Sequence, residues 1–206
     1  MNNWTDIPAP EVISKLAETL NTNNIEAFVV ENKAEAFEKL KSLIPENAEV
    51  NTGSSTTLKE IGFIEHLKHE SSTYNYIGEA IRKENDDSKR KELRRRSIAV
   101  EYFVSSVNAL TEDGKLVAVD ATGSRVGSIP FAAEKVVIVV SANKILKNLN
   151  AAFERINSYV VPLEDKRMKQ EYGEQAGTST NKWIIIEKEF FADRIKVIIV
   201  KEKLGF

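Results

Sequence analysis

Apolar positions along the chain fall into short blocks that alternate between a helical and a strand period. Pro10 to Asn23 carries Ile13, Leu16, Ala17 and Leu20 at helical spacing, and Asn23-Asn24 supplies a stop. A short β-type run, Ala27-Phe28-Val29-Val30, follows, and then a second amphipathic helix with Ala36, Phe37, Leu40 and Leu43 on one face and Pro45 just past its end. A brief strand around Glu49-Val50-Asn51 delivers the chain to Asn51-Thr52-Gly53-Ser54-Ser55-Thr56-Thr57, and a helix is predicted over Leu58 to Leu67. Thr57-Leu58-Lys59-Glu60 fits the capping-box pattern and sets that helix's start near Thr57.

The alternation continues. Ser71 to Ile77 reads as a loop or short strand, and Ile81 to Val100 as a highly charged helix with a narrow apolar stripe near Leu93, Ile98 and Val100. Tyr102 to Val107 is strand-like, and Asp113-Gly114 turns the chain back into Lys115 to Val119, so Asn108 to Asp120 is expected to be a hairpin. Lys135-Val136-Val137-Ile138-Val139-Val140 is the most apolar run, short and β-branched, as suits a central strand buried on both faces. Asn143 to Tyr159 follows as a helix with Ile145, Leu149, Ala152 and Ile156 aligned. Residues 162–181 show little periodicity and are expected to form a loop excursion, before strands at Trp183 to Glu187 and Ile195 to Val200. The whole is the rhythm of one α/β domain over residues 1–206, with an N-terminal helical segment at 1–24 and crossover helices between strands.

Composition narrows the function classes. The net charge is −2, which argues against a nucleic-acid partner, and no apolar run approaches the length of a bilayer span, so no membrane insertion is expected. Met1 to Pro10 lacks the basic and apolar regions of a secretory signal, and a cytoplasmic location is the default. Cysteine is absent, so this chain has no thiolate to offer a disulfide, a zinc ion or an iron–sulfur cluster; no cofactor or metal is expected. The basic run Lys89 to Arg96 has Asp86 and Asp87 placed for i,i+4 pairs with Arg90 and Lys91, and it reads as a solvated helix face. His66 and His69 are two ligands without a third, and are expected to face solvent.

The candidate chemistry sits in loops after strands. Gly53, Ser54, Ser55 and Thr56 combine an unhindered backbone with hydroxyl donors at a helix start, as an anion cradle requires, although a tight capped turn would use the same residues. Asp120, Gly123, Ser124 and Arg125 put an acid, a flexible residue and a guanidinium after another strand; they form either the other wall of a crevice or a loop brace. Asn108 is placed to bind a ligand or cap its turn. Asn143 and Lys144 follow the most apolar strand, where Lys144 either complements an anion or lies on the surface. Asp120 and Glu112 are the candidate carboxylate bases.

With these residues laid out, the chain resembles the LUD-domain family, the lactate-utilisation proteins related to the smaller non-ferredoxin component of bacterial lactate oxidation. The resemblance runs from about Ile25 to the last residue. It rests on Gly53 to Gly62, Ser106 to Gly114, Asp120 to Val126, Asn143-Lys144-Ile145, and Arg194 to Val200 with Leu204-Gly205-Phe206. It implies a Rossmann-like sheet of the ribose-phosphate-isomerase and CoA-transferase type with flanking helices. In that wider group small anionic or phosphorylated ligands sit at such loops. Many relatives carry a cysteine cluster where this chain has Tyr172 to Thr180, and often asparagine where it has Ser124, so a redox role tied to those cysteines does not transfer. The function expected is binding of a small anionic metabolite as an accessory component of lactate or 2-hydroxy-acid oxidation, beside redox partner subunits and open to homo-oligomer formation. The alternatives are an isomerase or acyl/CoA transferase acting on a phosphorylated substrate, and a non-catalytic ligand sensor.

Overall fold

The structure, a computed structural model, describes residues 3–206. The chain runs α1 (Pro10–Thr22), β1 (Glu26–Val30), α2 (Lys33–Leu43), β2 (Glu49–Thr52), α3 (Thr56–Glu60), α4 (Phe63–Lys68), β3 (Asn75–Tyr76), α5 (Ile77–Lys83), α6 (Asp87–Arg96) and β4 (Tyr102–Ser105). It continues through β5 (Ala109–Thr111), β6 (Leu116–Asp120), α7 (Ser124–Gly127), β7 (Lys135–Ser141), β8 (Ile145–Leu146), α8 (Leu149–Arg155), α9 (Val161–Tyr172), β9 (Lys182–Ile186) and β10 (Ile195–Val200).

Six strands form a parallel sheet in the order β1-β10-β7-β4-β2-β3. The other four form a smaller sheet, β8-β5-β6-β9, in which the expected hairpin pairs Ala109 with Val117. Alternation along β7 and β10 sorts the core. Val136, Ile138, Val140, Ile195, Val197 and Ile199 pack on one side with α1 and with Leu110, Leu116 and Ala118 of the small sheet. Val137, Val139, Ile198 and Val200 face the other side, against Ala36 and Leu40 of α2 and Leu58, Phe63 and Leu67 of α3 and α4. The outer face of the small sheet, Ala109, Val117 and Val119, is covered by Ala152, Ile156 and Val160. The α/β sheet of the sequence analysis is therefore present, with a second sheet inserted as an additional layer.

Local expectations shift where tertiary contacts win. The helix predicted over Leu58 to Leu67 is two helices, broken at Gly62, whose φ of 82° leaves the helical region. Ser55, not Thr57, is the N-cap: its Oγ accepts the Leu58 N–H at 3.2 Å, while Glu60 reaches away to accept the Gly205 N–H at 2.7 Å. The charged helix predicted over Ile81 to Val100 is likewise split into α5 and α6, with Asp86 accepting from Lys89 N as the cap of α6 and Asp87 pairing with Arg90.

Residues 162–181 are not a loop throughout. α9 takes up their first half, because Pro162 sits in its first turn, where proline is tolerated. A widened π-type turn at Ile156–Val160 joins α8 to α9, just ahead of Pro162, which has no N–H to give the preceding turn. The helix predicted from Asn143 in turn starts only at Leu149, after a 3₁₀ turn at Ala142–Lys144 and strand β8.

Candidate functional site

The carboxyl ends of the parallel strands β2, β4 and β7 open on one cleft of about 610 Å³. Ligand sites in open α/β sheets sit at this edge. The loop after β2 contributes Gly53, Ser54, Ser55 and Thr56; the loop after β4 contributes Ser106, Val107 and Asn108; the turn after β7 contributes Lys144. The loop after β6 in the small sheet closes a further wall with Asp120, Ser124 and Arg125. Glu164 and Arg167 of α9 and Gly177 to Thr180 beyond it lie over the mouth, where Arg167 donates to Ser54 Oγ at 3.4 Å.

Lys144 is the structural centre of the cleft. Only 3% of it is exposed, and its Nζ donates to Thr57 Oγ1 at 2.9 Å and Ser106 Oγ at 3.3 Å. No carboxylate lies within ion-pair distance of it among the described residues. Burial, reinforced by the nearby Arg155 and Arg125 charges, brings its ammonium down to about 7. Gly205 packs against this pair with a φ of 60°; a Cβ there would stand 2.6 Å from Thr57 Oγ1 and 3.3 Å from Lys144 Nζ.

Arg125 converges on the same point. Its backbone N–H donates to Asp120 Oδ2 at 2.8 Å, which folds the loop, and its guanidinium donates to the carbonyls of Ser106, at 3.4 Å, and Val119. Burial holds its pKa below the usual arginine value, with Asp120 opposing. Arg155 lies behind, fully buried. It donates to the carbonyls of Asn108, at 3.1 Å, and Trp4, and burial brings it to about 10. Three buried or half-buried cations thus cluster with backbone carbonyls and hydroxyls as partners and without a carboxylate ion pair, which leaves a local excess of positive charge.

The predicted residues separate into two groups. Gly53, Ser54, Ser55, Thr56, Asn108, Asp120, Ser124, Arg125 and Lys144 are brought together around the cleft. Gly123 takes a φ of 106° at the start of α7 and abuts Lys182, outside the lining residues. Asn143 is buried with neither side-chain polar atom hydrogen-bonded, and it too stands apart from the lining. Glu112 is exposed in the hairpin turn and does not reach the cleft, because the β5–β6 turn lies at the other end of the strand pair from Asp120.

Asn108 is partly occupied as a cap: its Oδ1 accepts the Val119 N–H at 3.0 Å. His66 is half-buried against the rings of Phe37, Phe63 and Tyr74 rather than turned to solvent, and burial lowers its pKa. Ser106, Thr57, Arg155 and Arg167 were missed. Arg155 had a signal, a charge three residues after Ala152 on an otherwise apolar stripe. Ser106 had one as well, a hydroxyl at the end of a strand.

The model of the LUD domain matches residues 13–200, so the chain belongs to the LUD-domain family. No curated protein matches it. Among solved structures it is similar to a DUF162 family protein from Deinococcus radiodurans, at 10% identity and a TM-score of 0.56, covering 94% of this chain and 99% of that one. That likeness shows the fold alone. A D-ribose-5-phosphate isomerase in complex with phospho-erythronic acid aligns over 84% of this chain and 95% of its own, at 14% identity and a TM-score of 0.36, too loose to place any residue. No helix among the described residues is long and apolar enough to cross a membrane.

Proposed function

We propose that this LUD-domain chain binds a small anionic metabolite in the cleft between the Gly53–Thr57 loop, Ser106–Asn108, Asp120–Arg125 and Lys144. The observation that carries the proposal is buried Lys144 and half-buried Arg125 meeting at Ser106, neither in an ion pair with a carboxylate. An anion at that point supplies the missing counter-charge and accepts the charge-assisted hydrogen bonds that both side chains have to give. Asp120 sets the Arg125 loop, and α9 with the following segment limits exchange with water. The family suggests lactate or another 2-hydroxy acid, handled in the cytoplasm. Oxidation of such a ligand needs an electron acceptor, and the chain has no cysteine to ligate a cluster, so it serves as an accessory component beside redox subunits.

A thermal-shift panel of lactate, glycolate, sugar phosphates, nucleotides and CoA tests the site. A ligand at a hundredfold excess over its Kd adds about 2.7 kcal/mol, or roughly 5–10 °C in Tm for a domain of this size. The rise is expected with small carboxylates and is expected to be lost in Arg125→Met. Flat melting curves across the panel would overturn the proposal. Lactate-dependent turnover by the purified chain with an artificial acceptor would contradict the accessory role. One placement favours a second reading, an isomerase or acyl transferase: Asp120 lines the same cleft as a carboxylate base. Under that reading Asp120→Asn abolishes turnover of a phosphorylated substrate.

A further inference from the structure

Lys144 is seated where it exchanges its proton readily, and its surroundings also accommodate the uncharged amine. An uncharged lysine nitrogen has two N–H donors and one lone pair, and two acceptors stand in place, Thr57 Oγ1 at 2.9 Å and Ser106 Oγ at 3.3 Å. The Ser106 hydroxyl spends its own proton on the Val107 carbonyl, at 3.3 Å, so it meets the amine with its oxygen. An ammonium would carry a third N–H with no partner among the described residues, at a site where burial makes that costly. The remaining lone pair belongs to a side chain that lines the cleft.

We propose that Lys144 acts as a nucleophile toward the carbonyl carbon of a short anionic ligand, a 2-oxo acid, and forms a reversible imine; this rests on the anion-cleft reading above. The chain length of the ligand follows from Ser106. Arg125 is hydrogen-bonded to the Ser106 carbonyl and Lys144 to the Ser106 hydroxyl, so the two meet at one residue, which favours a ligand whose carboxylate and carbonyl are close neighbours. The low proton affinity of Lys144, near pH 7, keeps a large share of it unprotonated under neutral conditions.

The step balances as a condensation. The Nζ–C bond forms, the carbonyl π bond breaks, and one Nζ proton passes to the carbonyl oxygen to give a carbinolamine. That hydroxyl takes the remaining Nζ proton and leaves as water as its C–O bond breaks, and the nitrogen lone pair forms the C=N bond. Thr57 and Ser106 are the hydroxyls at hand to pass these protons. No electrons are exchanged with a co-reactant. Phe103, Val107 and Phe206, which line the same cleft, shield the imine from hydrolysis.

Reductive trapping decides the matter. The intact chain is incubated at neutral pH with pyruvate or glyoxylate and sodium cyanoborohydride, and the adduct is located by peptide mass mapping. The expected result is one adduct at Lys144, at least about tenfold above the exposed Lys89 and Lys147, competed by lactate and absent in Lys144→Arg. The wild-type map suffices if the variant does not fold. Equal labelling of the three lysines, or no adduct at Lys144 with either probe, overturns the nucleophile. In that event a lactate-induced rise in Tm leaves the anion cleft standing, and the absence of both removes both.

Discussion

Replacing Lys144 with methionine should change how stability depends on pH, in a direction opposite to ordinary intuition about losing a hydrogen-bonded residue. In the unfolded chain the lysine titrates near 10.5, and in the folded cleft near 7. The folded state therefore resists protonation. Below about pH 7 both states carry the proton and the fold bears the whole penalty, and the penalty fades as pH rises from about 7 to about 10.5. At about 1.4 kcal/mol per tenfold change in proton affinity, the full penalty is about 5 kcal/mol.

Methionine fills similar volume without a charge but forfeits the two hydrogen bonds to Thr57 and Ser106, at about 1 kcal/mol each. The variant should then be more stable than the parent by roughly 3 kcal/mol near pH 6. That advantage should all but vanish near pH 9.5. Urea denaturation of both proteins at about pH 6, 8 and 9.5 reads this directly, since the titrations they share cancel in the difference. Parallel stability curves would refute a buried lysine without a carboxylate ion pair. Repeating the pH 6 measurement with saturating ligand should shrink the variant's advantage, because a bound anion supplies Lys144 with its counter-charge.

Other changes probe the surroundings. Gly205→Ala forces a Cβ against Thr57 Oγ1 in a backbone region L residues avoid, and should cost about 1–3 kcal/mol and the ligand-induced rise in Tm, read by denaturation and thermal shift. Glu189→Ala strands Arg194, which is bonded to Glu189 Oε2 at 2.7 Å and to the Ile129 and Ala133 carbonyls. A loss of about 3–5 kcal/mol is expected by urea denaturation. Glu112→Gln should leave ligand-induced melting shifts unchanged, whereas Asp120→Asn, which loosens the Arg125 loop, should reduce them; calorimetric titration of the two side by side checks the contrast.

Residues whose surroundings are fixed by neighbours in sequence were legible before any coordinates. The run Lys135–Val140 suited a central strand buried on both faces, as β7 is, and a glycine with hydroxyls after β2 marked one wall of the cleft. What the chain order conceals is decided by distant partners. A lysine after a buried strand is ordinarily on the surface, and nothing near Lys144 announces that Thr57 and Ser106 will enclose it. The Thr57–Glu60 pattern has the spacing of a capping box, yet both side chains are taken by long-range partners, Lys144 and Gly205. Weak amphipathicity and Pro162 hid α9, whose helical turns are stabilised by ion pairs such as Glu164–Arg167 and Asp165–Lys169.

The placement of β10 bears on how the molecule is assembled. Residues 195–200 slot between β1 and β7, so two strands far apart in the chain have no direct pairing and wait for a third to join them. Until it arrives, both present open backbone edges with apolar, valine-containing sequence, the form most prone to pairing with the wrong partner. Biosynthesis reaches this segment only after most of the sheet has emerged, which makes the fold a slow, non-local one and a natural client for protection during synthesis. The cleft that depends on β7 and on the neighbouring Gly205 is then among the last features to become functional, so ligand binding doubles as a report that the centre of the sheet has closed.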